Sequence, residues 1–385
     1  MHSRILNNYR KHDYTPLDRL PIKFNFFTPE IVRYTTEANI ALSKLNGFIT
    51  SLPNIDILLN NLSIQESQSS SAIENIVTTN DKIYRSLALD GRKSPEIKEV
   101  LTYRKALWSG YDYIKTNPLD RNAFVQITKT IKNNDDGIRD GQGSTHLTDG
   151  AGRVIYTPPQ EKKEIDVLLQ NLEDYIEQND DLDALIKMGI IHYQYESIHP
   201  FKDGNGRSGR IINILYLLKQ NKLEHPALYL SRYIFNSRQE YYRGFEKVRQ
   251  QQDWNAWTIY MLNGIRETAN YTYQQVRDIH ELQLATQKLI HTLPLKNIDV
   301  ENFTKTLYTQ PYSRVKNFVS DKIKSKNTVM RYLDILVKTG TLEKETTKYG
   351  FIYKNVPLSC ALRQTEMNRS LFDLLNQYGY KKFKN

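Results

Sequence analysis

Apolar residues recur at three- and four-residue steps through most of the chain. After Thr28-Pro29-Glu30, one helical face is formed by Ile31, Tyr34, Ala38, Leu42 and Leu45. The same spacing predicts helices over about 55–66, 70–76 and 97–111, and a helical region from Glu161 to about Leu293. Gly47 and Pro53 are predicted to interrupt the first helical region. We therefore expect a mainly α-helical protein.

Two segments depart from this period. Residues 1–30 carry three prolines, Pro16, Pro21 and Pro29, and are predicted to form an extended arm. Residues 135–160 contain five glycines and end in Val154-Ile155-Tyr156 before two prolines. This pattern is typical of a short β-hairpin, or flap.

Composition narrows the class of protein. The chain has 385 residues, which is enough for about two or three domains, and its only cysteine is Cys360. A disulfide framework within the chain is therefore excluded. We find no apolar run of about 18 residues and no apolar leader after Met1. We expect a soluble, cytoplasmic protein that makes no contact with a membrane.

Charge is distributed unevenly along the chain. The formal net charge is +10, and residues 301–385 hold 16 basic and 7 acidic side chains. A basic C-terminal region on a nearly neutral body is consistent with a nucleic-acid contact. It is equally consistent with a solubilising surface.

The segment with the most chemical information is 199–210, His-Pro-Phe-Lys-Asp-Gly-Asn-Gly-Arg-Ser-Gly-Arg. It lies between two apolar helical patterns, so it is predicted to be a loop that leads into a helix N-terminus, where free N–H groups and the helix dipole favour an anion. Gly204 and Gly206 allow the backbone to approach a ligand closely. Arg207 and Arg210 are three residues apart and offer planar forks for phosphate oxygens.

Two further side chains complete a reaction site. Asp203 is an oxygen ligand suited to Mg²⁺, and His199 titrates near neutrality, as a general base should. The segment lacks the Lys-Ser/Thr pair of an ordinary P-loop. It predicts a polyphosphate site at which a histidine deprotonates an attacking hydroxyl.

This segment resembles the signature of the Fic family, His-x-Phe-x-Asp/Glu-Gly-Asn-Gly-Arg-x-x-Arg, at every fixed position. The resemblance extends over roughly residues 30–265 and implies a protein adenylyltransferase, which moves AMP from ATP to a Ser, Thr or Tyr hydroxyl and uses Mg²⁺. It implies that His199 is the base and Asp203 the metal ligand. The implied phosphate contacts are Gly204, Asn205, Gly206, Arg207 and Arg210, with Phe201 as the anchor of the loop.

A second resemblance lies upstream. Ser70-Ser71-Ala72-Ile73-Glu74-Asn75 is similar to the inhibitory motif of the same family. Ser70 and Glu74 share one helix face at the i, i+4 spacing. The resemblance implies that the Glu74 carboxylate reaches Arg210, so that ATP binds with its α-phosphate misplaced.

The rest of the site is predicted with less support from the residues themselves. The flap at 151–158 resembles the hairpin that holds the target's extended segment in this family. Asn236 and Tyr242 resemble residues that line an adenine pocket, and Gln194 is a polar candidate one turn before the loop. His192 is interpreted as a structural histidine.

The C-terminal region has the pattern of a winged helix-turn-helix. Helical patterns to about Gly340 are followed by two short strand patterns that flank Tyr349-Gly350. The residues predicted to form its core are Val315, Phe318, Val319, Val329, Tyr332, Leu333, Leu336 and Val337. The helix at 325–338 would be the one to enter a DNA groove, but such domains also bind proteins. DNA contact, protein contact and a homodimer are all left open.

The predicted organisation is therefore a helical region with the inhibitory helix (1–110), a Fic core (111–265), a helical linker (266–294) and a winged-helix domain (295–385). The predicted function is adenylylation of protein hydroxyls, held back by Glu74. Two alternatives remain at this point. One is an enzyme of the same fold that removes AMP from modified targets, and the other is a DNA-binding regulator with a nucleotide-sensing Fic domain.

Overall fold

Helices account for most of the chain, as the apolar period predicts. A computed structural model describes residues 16–52, 55–89, 91–140, 147–148, 154–320 and 323–381. Its helices in the first 251 residues are α1 (Pro29–Thr50), α2 (Ile55–Ile73), α3 (Asn80–Ala88), α4 (Pro95–Ile114), α5 (Arg121–Lys132), α6 (Lys162–Glu177), α7 (Ala184–Ile198), α8 (Asn205–Lys219), α9 (Ser231–Asn236) and α10 (Arg238–Gln251). The remaining helices are α11 (Trp254–Thr292), α12 (Val300–Tyr308), α13 (Lys326–Lys338), α14 (Val356–Arg363) and α15 (Arg369–Gln377).

Within the described residues, five short strands form two small antiparallel sheets. β1 (Leu147–Thr148) pairs with β2 (Val154–Tyr156), which confirms the predicted hairpin. Its tip, within the predicted flap 151–158, lies outside the described residues. The second sheet has the order β3 (Tyr312–Ser313), β5 (Gly350–Asn355), β4 (Leu342–Thr347).

Two expectations about helix boundaries are wrong. The helices predicted at 55–66 and 70–76 are one helix, α2, and Gly47 lies inside α1 rather than interrupting it. A single glycine costs a helix only about 1 kcal/mol, which packing of the apolar face can offset. Residues 16–28 contain no helix or strand, as predicted, and residues 1–15 lie outside the described part.

The chain folds into two compact units. The first consists of residues 1–43, 69–76 and 99–268. At its centre lies α7, which is buried on nearly every side and packs against α6 and α8, while α5 packs against α8. A helix that is apolar all round belongs in a core. The loop 199–204 joins α7 to α8, so the most buried helices of this unit hold the candidate site in place.

The second unit consists of residues 44–68, 77–98 and 269–385. In it, α13 packs against β4, and α3 packs against β3. The helix and the two-stranded hairpin predicted near the C-terminus are present. The residues predicted for its core are buried at Phe318, Val329, Tyr332, Leu333 and Leu336. Val319, which was also placed in that core, is exposed because it lies just beyond a short 3-10 turn.

Candidate active site

The loop between α7 and α8 is bent by two residues in the left-handed region. His199 ends α7 with φ 51° and ψ 59°, and Gly204 precedes α8 with φ 88°. A residue with a Cβ pays about 1 kcal/mol or more for such a conformation, whereas glycine does not. The conformation of His199 is therefore one that the surrounding contacts must hold.

Asn205 closes this loop upon itself. Its side-chain oxygen accepts from the Phe201 backbone N–H at 2.9 Å, and its amide donates to the Phe201 oxygen at 2.8 Å. Phe201 is buried, in agreement with its predicted role as an anchor. The Asn205 side chain thus shapes the loop from within, while Lys202 and Asp203 are exposed.

The first turn of α8 has a carboxylate beside it. A Cβ built on Gly206 would lie 2.4 Å from Oε1 of Glu74 and 3.0 Å from Nη1 of Arg210. The Glu74 carboxylate therefore occupies the space next to the helix N-terminus, where an anion is favoured by the free N–H groups and the dipole.

Arg210 connects this carboxylate to the end of α2. Its Nε donates to Oγ of Ser70 at 2.8 Å, and its Nη2 donates to the Ser70 oxygen at 3.0 Å and to Oε1 of Glu74 at 2.9 Å. Burial by itself would lower the pKa of Arg210, but the Glu74 charge together with smaller contributions from Tyr241, Tyr103 and Glu196 outweighs burial, and the pKa is raised. Ser70, Glu74 and Arg210, predicted from separate motifs, are in direct contact.

Arg207 is held by an acidic partner that the sequence did not indicate. Its Nη1 donates to Oε2 of Glu99, on α4, at 2.6 Å, and only 3% of its side chain is exposed. Glu99 lies 108 positions before Arg207 in the chain. Because no local spacing connects two such positions, only the fold reveals the pair.

Asp203 likewise has a basic partner that was not predicted. Lys132, the last residue of α5, forms an ion pair with its carboxylate, and Nη2 of Arg207 lies 3.8 Å away. Burial would raise the pKa of Asp203, but Lys132 and Arg207 outweigh it and the pKa is lowered. The side chain is therefore an ionised carboxylate at neutral pH.

His199 is neutral at physiological pH. Burial lowers its pKa to about 4. Nδ1 lies 3.3 Å from the backbone oxygen of Glu196, so the tautomer that donates there leaves Nε2 with a free lone pair. Burial also raises the pKa of Glu196 to about 8, so this carboxyl is largely protonated at pH 7. The imidazole has the protonation state that a general base requires.

The predicted adenine residues lie at different places. Tyr242 is exposed on α10, where the Arg238 guanidinium lies 5.8 Å from its ring centre. Nη1 of Arg238 also donates to Asn75 at 3.2 Å, beside Glu74. Asn236 is exposed at the end of α9. These contacts connect the segment of Tyr242 with the segment that carries Glu74.

Gln194 and His192 have partners away from the loop. The buried Gln194 amide donates to the backbone oxygen of Asp18 at 2.9 Å. Nε2 of His192 lies 2.8 Å from the Tyr241 hydroxyl, and Nδ1 lies 3.1 Å from the Asn213 amide. These contacts agree with the interpretation of His192 as a structural histidine.

Three segments of the chain match known protein families. Residues 32–112 match "Fic/DOC family N-terminal", residues 118–217 match "Fic/DOC family", and residues 282–358 match "Protein adenylyltransferase SoFic-like, C-terminal domain". Together these matches cover the regions of both predicted motifs and of the C-terminal hairpin.

Individual relatives are distant. A probable protein adenylyltransferase of Aquifex aeolicus is 24% identical over 201 residues, which are 52% of this chain and 56% of that protein. A protein adenylyltransferase Fic of Drosophila willistoni is 24% identical over 136 residues, 34% of this chain and 26% of that protein. The chain thus spans about half the length of the first relative and a quarter of the second.

A solved structure shares the fold. A Fic family protein from Desulfovibrio desulfuricans G20 superposes with a TM-score of 0.55 at 20% identity, covering 85% of this chain and 96% of that one. Among the residues that the structure describes, no helix is both long and apolar enough to span a membrane.

Proposed function

Since the chain is a Fic family protein, we propose that it is a protein adenylyltransferase, which moves AMP from ATP to a hydroxyl group of a target protein. The observation that carries this proposal is the Glu74 carboxylate bound to Arg210 beside Gly206. A site that holds a carboxylate against a helix N-terminus and a buried guanidinium is built for an anion. Glu74 of the same chain occupies that site and keeps it inactive.

The reaction follows from the loop. Nε2 of His199 accepts the proton of a Ser, Thr or Tyr hydroxyl while its oxygen forms a bond to the α-phosphorus of ATP. The bond from that phosphorus to the bridging oxygen breaks, and pyrophosphate leaves with the electron pair. Catalysis of this kind depends on positioning and on charge stabilisation. The N–H groups of 204–206 and the guanidinium groups of Arg207 and Arg210 supply both.

A magnesium ion fits the donor set. Mg²⁺ is commonly bound by one or two carboxylates together with substrate phosphates and water, and Asp203 is an ionised carboxylate beside the turn. When bound, the ion would neutralise phosphate charge. Lys132 would have to release Asp203 to make room for it.

Inhibition by Glu74 is part of this proposal. Its carboxylate uses the Nη2 hydrogen bond of Arg210 that a terminal phosphate would otherwise accept. Asn236, Tyr242 and Gln194 are proposed for the nucleotide, and Tyr242 has the most support because Arg238 connects its helix to Asn75. The hairpin β1–β2 is proposed to hold the target by strand addition.

The proposed partners are ATP and a protein acceptor. The exposed side chains of Lys326 and Arg331 on α13 leave DNA contact by the C-terminal region as a secondary proposal, beside a homodimer. DNA contact would be strongly salt-dependent. It would survive His199→Ala, which removes only the transfer reaction.

The test is a mass spectrum of the protein after incubation with ATP and Mg²⁺. We expect Glu74→Gly to gain at least roughly ten times more AMP adduct than the wild-type chain, since one lost charge-assisted contact is worth about 1.5–3 kcal/mol. His199→Ala in the same background should abolish the adduct. Asn75→Gly is the matched control, because it places glycine one residue later and keeps the carboxylate.

Two outcomes would contradict the proposal. The absence of an adduct in both wild type and Glu74→Gly, on the chain and on added lysate proteins, would exclude transfer if ATP still binds. An activity that removes AMP from modified proteins and is lost in Glu74→Gly would favour the de-adenylylating alternative instead.

A further inference from the structure

Arg139 is a buried cation with no role in the reaction as described so far. It lies in the glycine-rich stretch before the hairpin, and only 3% of its surface is exposed. Burial lowers its pKa to about 10, so the guanidinium remains charged at neutral pH. A charge this deep in a protein is costly unless its hydrogen bonds are used.

Those hydrogen bonds converge on the residues around His199. Nε of Arg139 donates to the His199 oxygen at 2.8 Å, and Nη2 donates to the Ile198 oxygen at 3.2 Å. The backbone N–H of Arg139 donates to the Pro200 oxygen at 2.9 Å. The last carbonyl groups of a helix lack partners within it. Arg139 therefore caps α7 from outside the helix and fixes the left-handed residue that carries the base.

The same guanidinium also binds the hairpin. Nη2 of Arg139 donates to the oxygen of Pro159, three residues after the end of β2. A second contact runs in parallel, since the Tyr156 hydroxyl, on β2 itself, donates to the Ser197 oxygen at 2.8 Å. The charged side chain of Arg139 and the uncharged side chain of Tyr156 thus both join the end of the hairpin to the end of α7.

The charge of Arg139 acts on the imidazole as well. It lowers the pKa of His199, after burial, which is the larger cause, while the charges of Glu74 and Asp203 oppose it. An arginine fork reaches several acceptors in one plane, which the ammonium group of lysine cannot do. The hydrogen-bond geometry of Arg139 can therefore be tested separately from its charge, because lysine keeps the charge and glutamine removes it.

We propose that Arg139 is a positioning residue of the transfer reaction, which sets the hairpin that holds the acceptor segment at a defined distance from the imidazole of His199. This inference rests on the proposed adenylyltransferase function. Arg139 would set the distance between the acceptor hydroxyl and the imidazole of His199. Nucleotide binding would be left to Arg207 and Arg210, which lie on α8, after the loop.

The experiment uses the full chain with Glu74→Gly as the parent, so that inhibition does not mask the rates. Arg139→Lys and Arg139→Gln are compared for incorporation of AMP from ATP labelled at the α-phosphate, into the chain itself or lysate proteins. We expect both rates to fall by roughly ten- to a hundred-fold, because a misplacement of about 1 Å has effects of that size. The dissociation constant for α,β-methylene ATP should stay within about two-fold, since the phosphate contacts are unchanged.

The pH profile separates a positioning role from a merely structural one. In Arg139→Gln the acidic limb of the rate should move to higher pH, because a positive charge near His199 is lost. In Arg139→Lys, which keeps the charge, it should stay in place. Tyr156→Phe is the matched control, since it removes the parallel contact without changing any charge, so its rate should fall with no movement of the limb.

Three results would contradict the proposed role of Arg139. If the parent labels protein and both Arg139 variants match its rate and pH profile, the inference is wrong. It is also wrong if rate and nucleotide affinity fall together with cooperative unfolding, because Arg139 would then only stabilise the fold. If the parent itself transfers no AMP, the proposed function fails, and the inference fails with it.

Discussion

At the scale of single residues, three charged side chains at the loop and the first turns of α8 are already paired within the protein. Arg210 binds Glu74, Arg207 binds Glu99, and Asp203 binds Lys132. A buried charge that loses its partner is costly. On the proposed function, a triphosphate with its metal would have to supply replacement partners when it displaces these side chains, which would favour a ligand that carries both signs of charge.

The protonation of His199 gives a prediction at this scale. An ordinary histidine has a pKa of about 6.5, whereas burial lowers that of His199 to about 4. The initial rate of AMP incorporation by Glu74→Gly should therefore be flat from about pH 6 to 8 and should fall only as the pH approaches 4. The Glu74→Gly substitution does not restore an ordinary pKa, because the charge of Glu74 raises the pKa of His199 and its loss lowers that pKa further.

Stability must be followed alongside, by circular dichroism at each pH. The native state holds His199 neutral, while an unfolded chain protonates it below about pH 6.5. The neutral His199 thus makes its full contribution to the free energy of unfolding above about pH 6.5. That contribution is lost as the pH falls from there towards about 4. A half-maximal rate near pH 6.5 in a chain that is still folded would contradict the assignment of His199 as a base that is neutral because its pKa is lowered.

At the scale of secondary structure, side chains of α4 approach side chains of α8, as Glu99 does Arg207. Gly110 on α4 permits this approach, since a Cβ there would lie 2.9 Å from Cδ1 of Leu215 on α8. In α1, by contrast, a Cβ on Gly47 would meet nothing within 4 Å. The same residue type therefore has a packing role in one helix and none in the other.

These two glycines make a matched pair for unfolding measurements. Gly110→Ala should lower the free energy of unfolding by about 1–3 kcal/mol through overpacking. Gly47→Ala should raise it by about 0.5–1 kcal/mol, because alanine favours the helix and restricts the unfolded chain. Thermal or urea unfolding of both variants in the full chain gives the comparison. A shift of equal sign in both would contradict the packing argument.

At the scale of the whole molecule, the second unit is assembled from distant parts of the sequence. The Asn61 amide donates to the Tyr308 oxygen at 3.3 Å, and the Gln65 amide donates to the Leu362 oxygen at 2.6 Å. The Tyr312 hydroxyl donates to Asp81 at 2.8 Å. Residues 44–68 and 77–98 thus complete the structure around the C-terminal residues, although they precede the loop by more than a hundred positions.

This arrangement predicts the behaviour of an isolated fragment. Residues 295–385 expressed alone should melt at least about 10 °C below the full chain, or without a cooperative transition. They lack the partners just named, and about 1 kcal/mol is equivalent to 4–8 °C in a domain of this size. Circular dichroism of fragment and full chain is the measurement. A fragment that melts cooperatively at the temperature of the full chain would show that those partners contribute little.

The order of amino acids was sufficient for features that depend on neighbouring positions. Helical periodicity, the hairpin before Pro158 and the twelve-residue loop are local, so most helices and the place of His199 before α8 could be predicted. The contact of Glu74 with Arg210 joins positions 136 apart, and it was predicted only because residues 70–75 resemble the inhibitory motif of the Fic family. The union of two predicted helices into α2 could not, because the weak apolar pattern between them is overcome by packing. Glu99, Lys132 and Arg139 could not be found either. Their roles come from partners 60 to 108 positions away, and the distances between such positions are set by the packing of whole helices.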